Sequence, residues 1–116
     1  MKRSRTTAGE AHSSPPAELE VRPLANRSGL SAAGEVSLTT HQTWASALDV
    51  LADRQEDVYL DLAGLTFVDV AGASTLAATA LSRGVGRRMV IERPPPSLRR
   101  TLDMFWPDLA TIEVTG

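Results

Sequence analysis

Between Val58 and Leu81 the sequence changes its period once, and that change limits what the chain can fold into. Val58-Tyr59-Leu60-Asp61-Leu62 is a short, mostly apolar run of the kind that occupies the centre of a sheet. It leads through Ala63-Gly64-Leu65-Thr66-Phe67-Val68 to Asp69. An alanine-rich run then extends from Ala71 to Leu81, with Leu76, Ala77, Ala80 and Leu81 on one helical face and Asp69 placed as its N-cap. A central strand of this kind needs helices to cover it, so an α/β layered domain is expected.

The flanking segments fit that plan. Leu19, Val21 and Leu24 alternate into the turn-rich Asn26-Arg27-Ser28-Gly29, and Leu30, Ala32, Gly34, Val36 and Leu38 continue the alternation, which predicts an antiparallel pair. A helix follows, capped by Thr39 or Thr40, with Trp44, Leu48 and Leu51 on its apolar face. Gly84 and Gly86 end the alanine-rich helix, and Arg88-Met89-Val90-Ile91 is a second buried-type strand. After Pro94-Pro95-Pro96 a helix starts near Ser97, with Leu98, Leu102, Phe105 and Trp106 on one face and Pro107 at its end. Thr111-Ile112-Glu113-Val114 is the last strand. The predicted order is ββαβαβαβ.

Composition removes several classes of function. A chain of 116 residues with 42% hydrophobic residues is the size of one domain with its own core. Its longest apolar runs fall far short of the ~20 residues that a membrane span needs. With no cysteine there is no disulfide, thiolate metal site or cysteine nucleophile, and the cytoplasm is the expected compartment. Residues 1–17 hold three basic groups and Glu10, for +2, and read as a disordered tail with no apolar core of a secretion signal. Residues 18–116 hold nine basic against thirteen acidic groups, for −4, and form the folded domain. That acidity argues against nucleic acid as a partner.

Chemistry is sparse. The two histidines, His12 and His41, have no acidic or histidine partner at metal or triad spacing, so neither a catalytic residue, a metal site nor a cofactor is expected. Gly84-Val85-Gly86-Arg87 runs from helix to strand, the reverse of a phosphate-cradling loop, and reads as a turn. Arg83, Arg87, Arg88, Arg93, Arg99 and Arg100 could form a basic stripe facing an acidic protein surface, although helix ends and loops also favour arginine for solvation, and Arg83 suits a helix C-terminus. Asp69-Val70-Ala71-Gly72 places small and apolar residues at a strand-to-helix junction that presents free backbone amides. It can be a partner or ligand contact or only a capped helix packed closely at Gly72.

The segment from Asp61 to Gly72 resembles the signature of STAS domains, the anti-sigma factor antagonist family, whose pattern is D-L-S-x-[LV]-x-[FY]-[IVM]-D-[ST]-[ST]-G. Gly34-Glu35 is similar to the family's G-E-[ILV]-D segment, and the resemblance covers about residues 18–116. It implies a mixed sheet with helices mainly on one side. It also implies binding to an anti-sigma factor of the histidine-kinase-like ATPase fold around the start of the second helix. In phosphorylatable members the residue before the glycine is a serine or threonine that a partner kinase modifies, releasing the anti-sigma factor. Here that position is Ala71 and the one before it Val70, so the resemblance implies a contact surface without the phosphate switch.

The expected partner-binding residues are Asp69, Val70, Ala71, Gly72, Ala73 and Ser74, with the stretch from Leu65 to Val68 beside them, where Phe67 and Val68 are also core candidates. Ser74 and Thr75 are weak substitute phosphosites because their helical offset turns them away from Ala71. Two readings of function stand at this point. One is an anti-sigma factor antagonist free of kinase control; the other is a scaffold or accessory STAS subunit of a transporter or sensory complex. Oligomeric state is left open.

Overall fold

In a computed structural model of the chain, the residues described are 18–84, 86–109 and 112–115. The expected tail, residues 1–17, lies outside them.

The alternating segments form β1 (Leu19–Pro23) and β2 (Gly29–Val36), paired antiparallel with Leu19 opposite Gly34 and Pro23 opposite Leu30. Three β-α units follow. These are α1 (His41–Ala52) and β3 (Val58–Val68), then α2 (Val70–Arg83) and β4 (Met89–Glu92), then α3 (Pro96–Phe105) and β5 (Ile112–Thr115). The sheet order is β1-β2-β3-β4-β5, with every pair after the first parallel. Because each crossover steps to the next strand in the same lateral direction, and such crossovers are right-handed, all three helices fall on one face of the sheet.

The core lies between that face and the helices. Leu30, Ala32 and Val36 of β2, Val58, Leu60, Leu62, Leu65 and Val68 of β3 and Met89 and Ile91 of β4 pack against Trp44, Leu48 and Leu51 of α1, Ala73, Leu76 and Ala80 of α2 and Leu98 and Leu102 of α3. Side chains of opposite parity cover the other face with charge. Asp61 and Glu92 are register partners, and Arg93 bonds Asp61 at 2.9 Å while Arg27 bonds Glu92 and stacks over Tyr59 at 4.3 Å. Arg88 reaches Glu113 at 2.8 Å. Each arginine neutralises a carboxylate that would otherwise repel its neighbour across the strands.

Several local expectations shift. β2 ends at Val36, and Leu38 opens a single 3₁₀ turn, Leu38–Thr40, where it is 84% exposed. That turn recruits the Thr40 hydroxyl, which donates to the Glu35 carbonyl at 2.8 Å and accepts from Ser37 N–H at 2.9 Å, so it does not cap α1. Leu81 is exposed because the inward positions of the last turn of α2 are taken by Ala80 and Arg83. Phe105 is exposed as well, since α3 ends there and the half-buried Trp106 turns inward in its place. Gly34 sits at a register shift between β2 and β3 with φ 114°, and a side chain there would collide with the Glu18 carbonyl, which is why the second strand carries glycine at that point.

The arginine stripe does not form. Arg83 is buried, Arg88 and Arg93 belong to the charged sheet face, and Arg99 and Arg100 lie exposed on α3.

Candidate functional site

The junction of β3 and α2 is held from three directions. From the sheet, Asp69 N–H donates to the Val36 carbonyl at 3.0 Å, which carries β3 pairing one residue beyond its end. Within α2, Asp69 has the extended backbone of an N-cap (φ −77°, ψ 173°), and its Oδ1 accepts from Gly72 N–H at 2.7 Å. From α1, His41 Nε2 lies 2.9 Å from Asp69 Oδ1 and 3.1 Å from Oδ2, and the buried Trp44 indole N–H donates to the Gly72 carbonyl at 3.0 Å. From α3, the Ser97 hydroxyl oxygen accepts from Val68 N–H at 3.0 Å.

The His41 contact pairs this histidine with a carboxylate that no metal or triad spacing in the sequence indicated. Asp69 is 28 positions away in sequence and adjacent in space. One carboxylate thereby serves both the helix cap and the tie to α1.

Gly72 is where α2 packs closely on the strand ends. A Cβ there would lie 2.6 Å from Val36 Cγ1, 3.0 Å from Val68 Cγ1 and 3.1 Å from Asp69 Oδ1. Without a side chain at 72, the first turn of α2 rests directly on the ends of β2 and β3.

The six expected contact residues divide accordingly. Asp69 is half-buried and engaged, and Gly72 is buried. Ala73 is fully buried in the core, its burial set by the inward phase it shares with Leu76 and Ala80, so it offers no surface. Val70, at 57% exposure, Ala71 and Ser74 face outward. Of the adjoining stretch, Val68 is core, while Phe67 is 44% exposed and, as the register partner of Glu35 one residue out of phase with Val36 and Val68, belongs to the open face of the sheet. Thr75 donates its hydroxyl to the Ala71 carbonyl at 3.0 Å, whereas Ser74 makes no such bond and is exposed. The outward surface is small, apolar and uncharged: Arg83 is the only ionisable residue of α2, and it is buried at the far end.

Among the described residues no group of three or more His, Asp and Glu side chains could hold a metal, and no helix is long and apolar enough to cross a membrane.

A family model described as "Mlab, STAS domain" matches residues 20–106. The chain belongs to the STAS family. No curated protein matches its sequence. Among solved structures, the STAS domain is similar to an anti-sigma factor antagonist from Mycobacterium paratuberculosis, with TM-score 0.68, 21% identity and 90% of each chain covered. It is also similar to the anti-sigma factor antagonist SpoIIAA in its unphosphorylated form, with TM-score 0.56, 15% identity and 87% of this chain and 89% of that one covered. At these identities the likeness is one of fold. The five-stranded mixed sheet with three helices on one face is the STAS fold expected from the sequence.

Proposed function

We propose that this STAS domain is a binding module, an anti-sigma factor antagonist that docks on an anti-sigma factor of the histidine-kinase-like ATPase fold through the first turn of α2, with no phosphate switch at that turn. The observation that carries the proposal is Val70, an apolar residue 57% exposed at the first position of a helix whose backbone is tied to β2, α1 and α3. An exposed apolar group on a rigid base loses little entropy when a partner covers it. Ala71 and Ser74 continue that surface. Similarity in fold to two anti-sigma factor antagonists supports the partner class.

Ala71 supplies no hydroxyl, so a kinase has nothing to modify at the position the family uses. A phosphate would add about −1.5 to −2 charges in the middle of the apolar contact. Without it, the amounts of the two proteins or a competitor set the fraction bound.

Calorimetric titration against the histidine-kinase-like anti-sigma factors of the source organism, with ATP or ADP present, tests the proposal. Binding at micromolar affinity or tighter, about −8 kcal/mol or better, is expected. Ala71→Glu is expected to weaken it at least tenfold, roughly 1.4 kcal/mol. An acidic residue in the first turn of a helix complements its dipole, so this variant should fold as well as the parent and isolate the effect on binding. Unchanged affinity in Ala71→Glu removes the site. Absence of binding to every candidate moves the protein to the accessory-subunit reading.

A further inference from the structure

The charges bordering the proposed contact surface specify what the partner must carry. α2 exposes no charge, and the Asp69 carboxylate is occupied by His41 and Gly72 N–H, so charge offered to a partner beside this turn comes from neighbouring elements, α3 among them. That helix is tethered to the junction by Ser97, whose hydroxyl holds Val68 N–H one residue before Asp69. Arg99 and Arg100 follow Ser97 by two and three positions, which at ~1.5 Å rise per residue places them within one turn of the tether. Both are exposed, and among the described residues neither has a carboxylate within 4.0 Å. Together with Pro96, Asp103 and Met104 they line an open depression of about 540 Å³, in which Met104 is 66% exposed.

Neither arginine is paired at salt-bridge distance within the described domain. The first turn of α3 contains no acidic residue and its N-cap, Pro95, has no side chain able to accept a bond, yet two cations stand at its edge, where the positive end of the helix dipole disfavours them. Asp103 offsets one charge at most. The other exposed ion pairs contrast with this pair: Arg22, Arg27, Arg88 and Arg93 each have a carboxylate in reach.

We infer that Arg99 and Arg100 form a second, electrostatic part of the docking surface, which takes an acidic segment of the partner protein carrying an apolar side chain against Met104. The inference rests on the proposed docking through α2 and adds the partner's charge to it. Carboxylates on the partner relieve the unfavourable placement of the arginines, and such pairs raise the association rate and set register more than they add affinity.

The test is titration of the anti-sigma factor that binds the parent protein, carried out at low and high salt with Ala71→Glu, Arg99→Gln/Arg100→Gln and Arg99→Glu/Arg100→Glu. Both arginines are surface residues of α3, so circular dichroism and melting of the variants should match the parent. The expected results are a parent affinity that falls with salt, a loss of about tenfold or more in the double Glu variant, and a flattened salt dependence in the double Gln variant. A partner that binds the parent and both double variants equally, while Ala71→Glu fails, overturns the inference and leaves the α2 site standing. If no anti-sigma factor binds the parent, the underlying reading fails and the inference with it. A third arm uses vesicles of phosphatidylcholine with phosphatidylglycerol; arginine-dependent binding there, with none to the protein, assigns the patch to an anionic membrane surface and overturns the acidic-protein assignment.

Discussion

Replacing Arg83 by methionine is expected to lower the unfolding free energy by about 3 kcal/mol or more. Arg83 closes α2 but serves α1. Its guanidinium, 1% exposed, donates to the carbonyls of Leu51 at 2.6 Å and Arg54 at 3.0 Å, to the Glu56 carbonyl, and through Nε to Arg87 at 3.3 Å. The first three of these acceptors lie at and just beyond the end of α1, where a helix leaves its last carbonyls without internal donors and carries the negative end of its dipole. Burial lowers the Arg83 pKa from its ordinary value and Arg87 adds repulsion, but a guanidinium remains charged in the working pH range. Methionine fills much of the volume and satisfies none of the carbonyls; each buried acceptor left alone costs about 1–3 kcal/mol. Water can reach the outer carbonyls, which is why the expected total is well below a simple sum. Arg83→Lys keeps the charge but not the fork and should lie between the two. Urea unfolding of the three proteins checks this, and a methionine variant within 1 kcal/mol of the parent would show that the contacts are dispensable.

Gly72→Val should be the most damaging change at the site itself. The added Cβ alone would lie 2.6 Å from Val36 Cγ1, and both contacts on that side, Val36 and Val68, are core residues that cannot swing into solvent. Valine brings two further methyl groups and little gain in helix propensity. Overpacking of this kind costs about 1–3 kcal/mol, or roughly 4–20 °C in Tm for a domain of this size. The first turn of α2 must also lift off the strand ends, which strains the Asp69 cap and the Trp44 bond. Partner affinity should therefore fall by more than the loss of stability explains. Thermal melting and titration on the same sample separate the two effects. An unchanged Tm would show that the strand ends yield freely and that the close approach is not needed.

The sequence made some of this legible and hid the rest for identifiable reasons. Period changes located the five strands and the three α-helices of the described residues, though not the 3₁₀ turn at Leu38, because a sheet centre and a helix covering it leave different patterns: Val58, Leu60 and Leu62 alternate, while Trp44, Leu48 and Leu51 recur by turns. Asp69 was readable as a cap since capping is local, three residues from donor to acceptor. The tie from His41 to Asp69 was not, because 28 residues and a crossover separate the partners and only the parallel pairing of β2 with β3 brings α1 beside α2. Arg83 resembled any arginine near a helix end; its burial depends on α1 ending just there. Ala73 and Ala71 are the same residue two positions apart, one in the core and one on the surface, and only the phase of α2 separates them.

The most direct test of the central claim follows one complex through time. The parent protein and an Ala71→Ser variant are each mixed with the anti-sigma factor that binds them, ATP is added, and the complexes are monitored by size-exclusion chromatography with mass spectrometry of the STAS domain. The parent complex should persist without phosphate, while the Ala71→Ser complex should gain one phosphate at position 71 and dissociate as it does so. A parent complex that dissolves with phosphate on Ser74 or Thr75, or a Ala71→Ser complex that stays intact and unmodified, would contradict an apolar docking surface that differs from a switchable one by a single hydroxyl.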